Sequence, residues 1–253
     1  FHRPVSIDGA DMIIYFVSDG DINAFYTAIF DCLKSGGIIT SRQDFQLTLG
    51  DTVINVEHDC TKCEEVKTAL LLYDRYASDD IAFALRSGDK NKEQTVFGYV
   101  KILLKTKAPV IKRMNLDEIL KFNALTYKIT GELHRLKGLL RFIECENGVL
   151  YAPYSPDNNI TDLLAEHFKH RLSCEKFVIH DIKRKLATIY DGNSLITGKV
   201  GNAEIYVSER EKEFENLWKK YYKSVNIESR PHTKQMKGSM PVRYWKFLPE
   251  KQD

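Results

Sequence analysis

The stretch LLRFIECENGVLYAPY, Leu139–Tyr154, is where the chain changes its hydrophobic period, and its reading decides the fold. Upstream, Asn115-Leu116-Asp117-Glu118 places acids in a first helical turn, where they complement the helix dipole. Ile119, Phe122, Leu125, Tyr127, Ile129, Leu133, Leu136 and Leu140 then recur at mostly helical spacing. Gly131 and Gly138 weaken that helix by about 1 kcal/mol each relative to Ala, and it is expected to run to about Lys137. From Leu139 the apolar residues alternate instead. Leu139–Cys145 and Val149–Tyr154 read as two strands joined by Glu146-Asn147-Gly148, because an Asn-Gly pair supplies the positive φ angles of a tight hairpin turn.

The pattern repeats downstream. Ser155-Pro156-Asp157-Asn158-Asn159 is turn-forming, and Thr161–Leu172 is an amphipathic helix through Leu163, Leu164 and Phe168. A second hairpin pairs Lys176–Asp181 with Leu186–Tyr190 and ends at Asp191-Gly192-Asn193. The segment therefore reads β-β-α-β-β. Ala203–Val207 is a candidate further strand, Glu209–Tyr222 an acid-headed, base-tailed helix, and the remainder is broken by prolines.

Towards the N-terminus, MIIYFV (Met12–Val17) reads as a buried strand, and Ser18-Asp19-Gly20-Asp21 as the turn into a helix carrying Ile22, Phe25, Tyr26, Ile29 and Leu33. Asp51–Glu57 is a second short strand. Helices follow over Cys63–Tyr76, over Ile81–Leu85 with Ser78-Asp79-Asp80 as its cap, and over Val96–Leu104. The expected fold is α+β: an N-terminal β-α portion, a helical middle, and a C-terminal antiparallel sheet of two hairpins around one helix, with a basic tail. Residues 1–11 read as a tag remnant or a disordered terminus, 12–106 as an N-terminal α/β subdomain, and 107–253 as the long helix with the β-β-α-β-β subdomain and tail. The two portions form one compact unit or divide near the KAPVIKRMN connector, residues 107–115.

Composition narrows the function classes. The longest apolar run, Met12–Val17, is far short of the ~20 residues of a membrane helix. Five scattered cysteines do not make a secreted disulfide framework, which points to a reducing cytoplasm. The opening lacks the basic and then apolar pattern of a signal peptide. Phosphate-binding glycine loops, nucleophile elbows and kinase motifs are all absent, and nothing in the sequence requires a cofactor.

The charge is concentrated near the end. Between Lys219 and Lys246 lie eight cations (Lys219, Lys220, Lys223, Arg230, Lys234, Lys237, Arg243, Lys246) against Glu228 alone, a net of +7 in a chain whose total is +2. Tyr221, Tyr222, Tyr244 and Trp245 are interleaved with them. Cations neutralise phosphates and flat rings stack on bases, so this composition suits a nucleic-acid surface. The same aromatics equally suit packing anchors with lysines on a solvated face.

Three other groups could carry chemistry. His58, Cys60 and Cys63 have metal-like spacing but fall short of the four ligands of a structural zinc site. His134 lies in HRLKGLLRF near the end of the long helix, and Glu132 with Arg135 reads as a pair on a solvated helix surface. Arg141 falls inside an apolar strand and therefore needs an anionic partner, an internal carboxylate ahead of a phosphate. His167, His170 and His180 read as structural residues.

HRLKGLLRF (134–142), YSPDN (154–158), FVIHD with the YDG turn, LWKKYYKSVNIESR (217–230) and MPVRYWKFLPE (240–250) together resemble a bacterial family labelled "probable DNA metabolism protein", a domain of unknown function (4130). The resemblance points to His134, Arg141, Phe142, Tyr221, Tyr222, Ser224, Arg230, Met240, Pro241, Arg243, Tyr244 and Trp245, to none of which the family assigns a catalytic role. Leu136 and Leu139 stand where the family usually has Met and Phe. The resemblance implies a stand-alone form that acts with a radical-SAM protein of DNA modification or repair. Three functions are in view. The first is an accessory protein that binds DNA through Lys219, Lys220, Tyr221, Tyr222, Lys223, Arg230, Lys237, Arg243, Tyr244 and Trp245. The second is an enzyme acting on DNA or a nucleotide with His134 and Arg141. The third is a docking module that binds protein alone.

Overall fold

The computed structural model describes residues 12–201, 211, 213, 215–220 and 233–251. The expected terminus at 1–11, the Ala203–Val207 strand, Tyr221, Tyr222, Lys223, Ser224 and Arg230 lie outside the described residues. The chain divides into two compact units, Phe1–Ile129 and Thr130–Asp253, and the division falls inside one helix.

The first unit is built on a parallel sheet of β1 (Ile13–Phe16), β2 (Ile38–Thr40) and β3 (Thr52–Asn55) in the order β2-β1-β3. Helix α1 (Ile22–Ser35) connects β1 to β2. It starts at Asp21, whose carboxylate accepts from the Asn23 and Ala24 amides at 3.1 and 2.9 Å, satisfying two donors the helix cannot pair itself. At Gly37 (φ +110°) the chain turns back against β1 so closely that a Cβ would come within 2.4 Å of the Ile13 carbonyl oxygen. Only glycine fits there. β2 has no signature in the sequence, because three residues between a glycine pair and a polar loop are too short to show a period.

Helices α2 (Cys60–Tyr73), α3 (Ala77–Ala84), α4 (Lys92–Thr106) and the N-terminal part of α5 (Asp117–Leu139) complete this unit. Its core joins Phe25, Tyr26 and Ile29 of α1 to Leu70, Ile81 and Val100, with Tyr99 and Phe122 stacked at 4.1 Å between centroids. Ser78, Asp79 and Asp80, expected before α3, lie in its first turn, and the N-cap position is Tyr76, without a side-chain cap. Tyr127, expected on the buried stripe of α5, is 80% exposed.

The second unit contains β4 (Ile143–Glu144), β5 (Leu150–Tyr154), α6 (Thr161–Arg171), β6 (Phe177–Asp181), β7 (Leu186–Tyr190) and β8 (Leu195–Lys199). A helical stretch at residues 215–220 (α7), α8 (Thr233–Ser239) and a 3-10 helix at Val242–Phe247 follow. Both expected hairpins form and the α+β class stands, but the first strand, expected over Leu139–Cys145, is only Ile143–Glu144, because α5 runs on to Leu139. The expected antiparallel sheet is instead mixed. In the order β4-β5-β6-β7-β8, β5 and β6 pair in parallel, Ala152 opposite Ile179 and Tyr154 opposite Asp181. Hairpin signals are local and fix only neighbours in sequence. How two hairpins join depends on the crossover between them, and the segment containing α6 is long enough to return the chain parallel.

Period-two alternation places Ala152, Tyr154, Phe177, Ile179, Thr188 and Tyr190 on one face of this sheet, and all are buried. Phe168 of α6 meets Phe142 edge-on at 4.9 Å, and Phe142 meets Phe177 at 5.7 Å. On the opposite face the Tyr151 hydroxyl and His180 Nδ1 are 2.7 Å apart, with His180 only 8% exposed. Burial pushes the imidazole below its ordinary pKa of 6.5, although Asp181 opposes the shift. A depressed folded pKa means that the unfolded chain takes up the proton first. Stability should therefore fall as pH drops below 6.5, and His180→Gln should flatten that dependence in denaturation curves between neutral and mildly acid pH. An equally steep fall in the variant would remove His180 as a source. No described helix is long and apolar enough to cross a membrane.

Candidate functional site

The hydrophobic stripe of α5 passes through Phe122, Leu125, Ile129, position 132, Leu136 and Leu140, steps of three and four that keep one face buried. Position 132 is a glutamate. Glu132 is 1% exposed, so its expected place on a solvated surface beside Arg135 is corrected. A carboxylate so deep must be hydrogen-bonded on all sides. It accepts from the Asp157 amide at 2.9 Å, the Asn158 amide at 2.8 Å, Asn158 Nδ2 at 2.6 Å and the Tyr244 hydroxyl. Tyr244 is itself buried. Burial, and after it the Glu132 carboxylate, hold its hydroxyl well above the usual phenol range, so it remains a proton donor.

Around this carboxylate the segments that carry the sequence motifs converge. Arg243 Nη2 lies 2.8 Å from Asp157 Oδ2 and 3.7 Å from Glu132 Oε1. From the other side, Arg184 donates to the carbonyls of Pro156 and Asp157 and to the buried Asp181 carboxylate at 2.8 Å. The loop 154–158 is thus held by its amides on Glu132 and by its carbonyls on Arg184, an arrangement that fixes a loop without secondary structure of its own.

A second cluster seats the end of the chain. Arg141 is 26% exposed and donates through Nη2 to Glu250 Oε1 at 3.0 Å and through Nη1 to the Gly138 carbonyl at 3.0 Å. Trp218 Nε1 donates to Glu250 Oε2 at 2.9 Å, and the guanidinium lies 5.0 Å from the indole centroid. The anionic partner that Arg141 requires is therefore internal. Leu136, Leu140, Pro153, Tyr154, Tyr244 and Leu248 line a small cleft beside it.

The residues expected to bind nucleic acid separate into two sets. Arg243, Tyr244 and Trp245 serve packing: Arg243 is ion-paired, Tyr244 is buried, and Trp245 Nε1 donates to the Met240 carbonyl at 3.0 Å. Lys219 pairs with Glu215 at 3.1 Å, whereas Lys220 and Lys237 are exposed. His134 is exposed on α5, while Arg141 is committed to Glu250. His58 and Cys60 are exposed, but the Cys63 thiol is buried and donates to Asn23 Oδ1 at 3.7 Å, so the spacing does not make a ligand set. Among the described residues no three His, Cys, Asp or Glu side chains come together to hold a metal ion.

Sequence reasoning missed Glu132, Arg184, Asp181 and Glu250. For Glu132 the signal was present, since the three-and-four spacing passes directly through it. Glu250 and Asp181 carry no local signal, because their partners are remote or stand out only once the turn is formed.

No curated protein and no solved structure matches the chain. The family model described as "Domain of unknown function (DUF4130)" matches residues 90–250, a span that includes Glu132, loop 154–158, Arg184, Arg243, Tyr244 and both ends of the Arg141–Glu250 pair. The match covers well over half of the sequence, and the chain belongs to this family.

Proposed function

We propose that the protein is a nucleic-acid-binding accessory factor of DNA metabolism that acts beside a radical-SAM partner and grips its nucleic acid by the phosphates. The observation that supports this reading most is the division of labour in the C-terminal stretch. Among its described residues Tyr244 is buried, Trp245 donates to the Met240 carbonyl and Arg243 is paired with Asp157, whereas Lys220 and Lys237 are exposed. Side chains engaged in packing are not free to stack on bases. Exposed lysines on an anchored segment contact the backbone, which gives affinity without sequence preference.

The test is binding to duplex DNA, single-stranded DNA and RNA across a salt series. Each phosphate contact contributes about 0.9 to the slope of log affinity against log salt on duplex. Lys220→Ala with Lys237→Ala should therefore lower the slope by up to about 1.8. An unchanged slope would remove these lysines from the interface. Absence of binding at low salt would turn the stretch into a docking face for a protein partner.

A further inference from the structure

The tip of the β6–β7 hairpin, Ile182-Lys183-Arg184-Lys185, has a charge pattern that the C-terminal stretch does not account for. The turn is fixed rather than loose. The Arg184 amide and guanidinium both bind the Asp181 carboxylate, at 3.1 and 2.8 Å, and the same guanidinium reaches the Pro156 and Asp157 carbonyls. With Arg184 drawn inward and Asp181 committed to it, Lys183 and Lys185 are left exposed. Lys185 also occupies a left-handed conformation, φ +52°, which glycine or asparagine would take more easily. A turn serving only to reverse the chain has no need of a long cation there.

Position reinforces the pattern. The Asp157 whose carbonyl binds Arg184 also pairs through its carboxylate with Arg243, which is 44% exposed on its side chain. The hairpin's Arg184 and the C-terminal Arg243 thus both bind one short loop, with Lys183 and Lys185 exposed next to Arg184 in sequence.

We propose that Lys183 and Lys185 form a second phosphate-contacting element, which places the β6–β7 hairpin alongside the backbone of a bound nucleic acid. The proposal rests on the nucleic-acid reading of the C-terminal lysines and extends the footprint from one segment to two. Rigidity is what makes the contact favourable, because cations on a seated hairpin lose less conformational freedom on binding than cations on a free tail.

The experiment compares four proteins on one labelled duplex oligonucleotide over a salt series: wild type, Lys183→Ala with Lys185→Ala, Lys185→Gly alone, and Lys220→Ala with Lys237→Ala. The double variant should lose about 1.8 from the salt slope and the single variant about 0.9. Lys185→Gly should also keep or raise the melting temperature, since glycine relieves the left-handed residue, so loss of binding in a protein at least as stable cannot come from misfolding. Hairpin variants with the wild-type slope, alongside a reduced slope in Lys220→Ala with Lys237→Ala, would overturn the hairpin's role and leave the nucleic-acid reading intact. Wild-type protein that binds no duplex at low salt would overturn both.

Discussion

Replacing Glu132 with Ala is expected to cost the second unit about 3–5 kcal/mol, the range for removing one member of a buried charged network. The loss is large because of what stays behind. Two backbone amides, Asn158 Nδ2 and the Tyr244 hydroxyl all lose their acceptor inside a region from which water is excluded. Arg243 loses one of its two carboxylates as well. For a chain of this length 1 kcal/mol moves the melting temperature by about 2–4 °C, so a fall on the order of 10 °C is the expected reading in thermal denaturation. Glu132→Gln keeps one acceptor oxygen but turns an amide NH2 towards groups that are themselves donors, and should fall between Ala and wild type. Tyr244→Phe removes one donor and should cost about 1.5–3 kcal/mol, the value of a hydrogen bond to a charged group. A change below about 1 kcal/mol in Glu132→Ala would mean that the loop is held by something other than this carboxylate.

Arg141→Ala is expected to have the next largest effect, about 2–3 kcal/mol, at or just below the low end for a broken buried pair because the guanidinium is partly in contact with water. The Glu250 carboxylate, itself buried, would keep the Trp218 indole and lose its counter-charge. Its distinguishing consequence is local. The segment around Glu250 should become sensitive to protease under conditions where the first unit is still intact. A double-mutant cycle with Glu250→Ala should return a coupling energy of at least about 1 kcal/mol, and additive losses would show that the pair contributes no more than its separate packing.

The sequence was most legible where structure follows from neighbours. The Asn-Gly hairpin, the second hairpin and the helix between them carry their signals within a few residues, and their ends fall within a few residues of the expected ones. The parallel joining of β5 to β6, the three-residue β2 and the edge strand β8 were not legible. Pairing across a crossover is decided by tertiary packing, and very short or exposed strands have no period to read. The site divides in the same way. An internal partner for Arg141 was deducible because a guanidinium in an apolar run cannot stand alone, but Glu250 could not be chosen from among 35 acids. Glu132 is a different case: its charge argues for the surface, but the helix period places that residue inside, and position outweighs charge. The +7 of the C-terminal stretch reads in sequence as one surface, whereas its described members are distributed between ion pairs, Lys219 with Glu215 and Arg243 with Asp157, and solvent.

The bond between Glu132 and Tyr244 joins residues 112 apart in the chain. At about 5–20 residues per second, a ribosome needs roughly 6–20 s to travel from one to the other. For all of that interval the emerging helix carries a carboxylate destined for the interior, with its closing hydroxyl not yet made, so the second unit completes its core only as its last segment appears. A nascent chain stalled anywhere in that window would hold an unsealed polar centre, which makes unfinished copies of this protein natural substrates for chaperones and proteases.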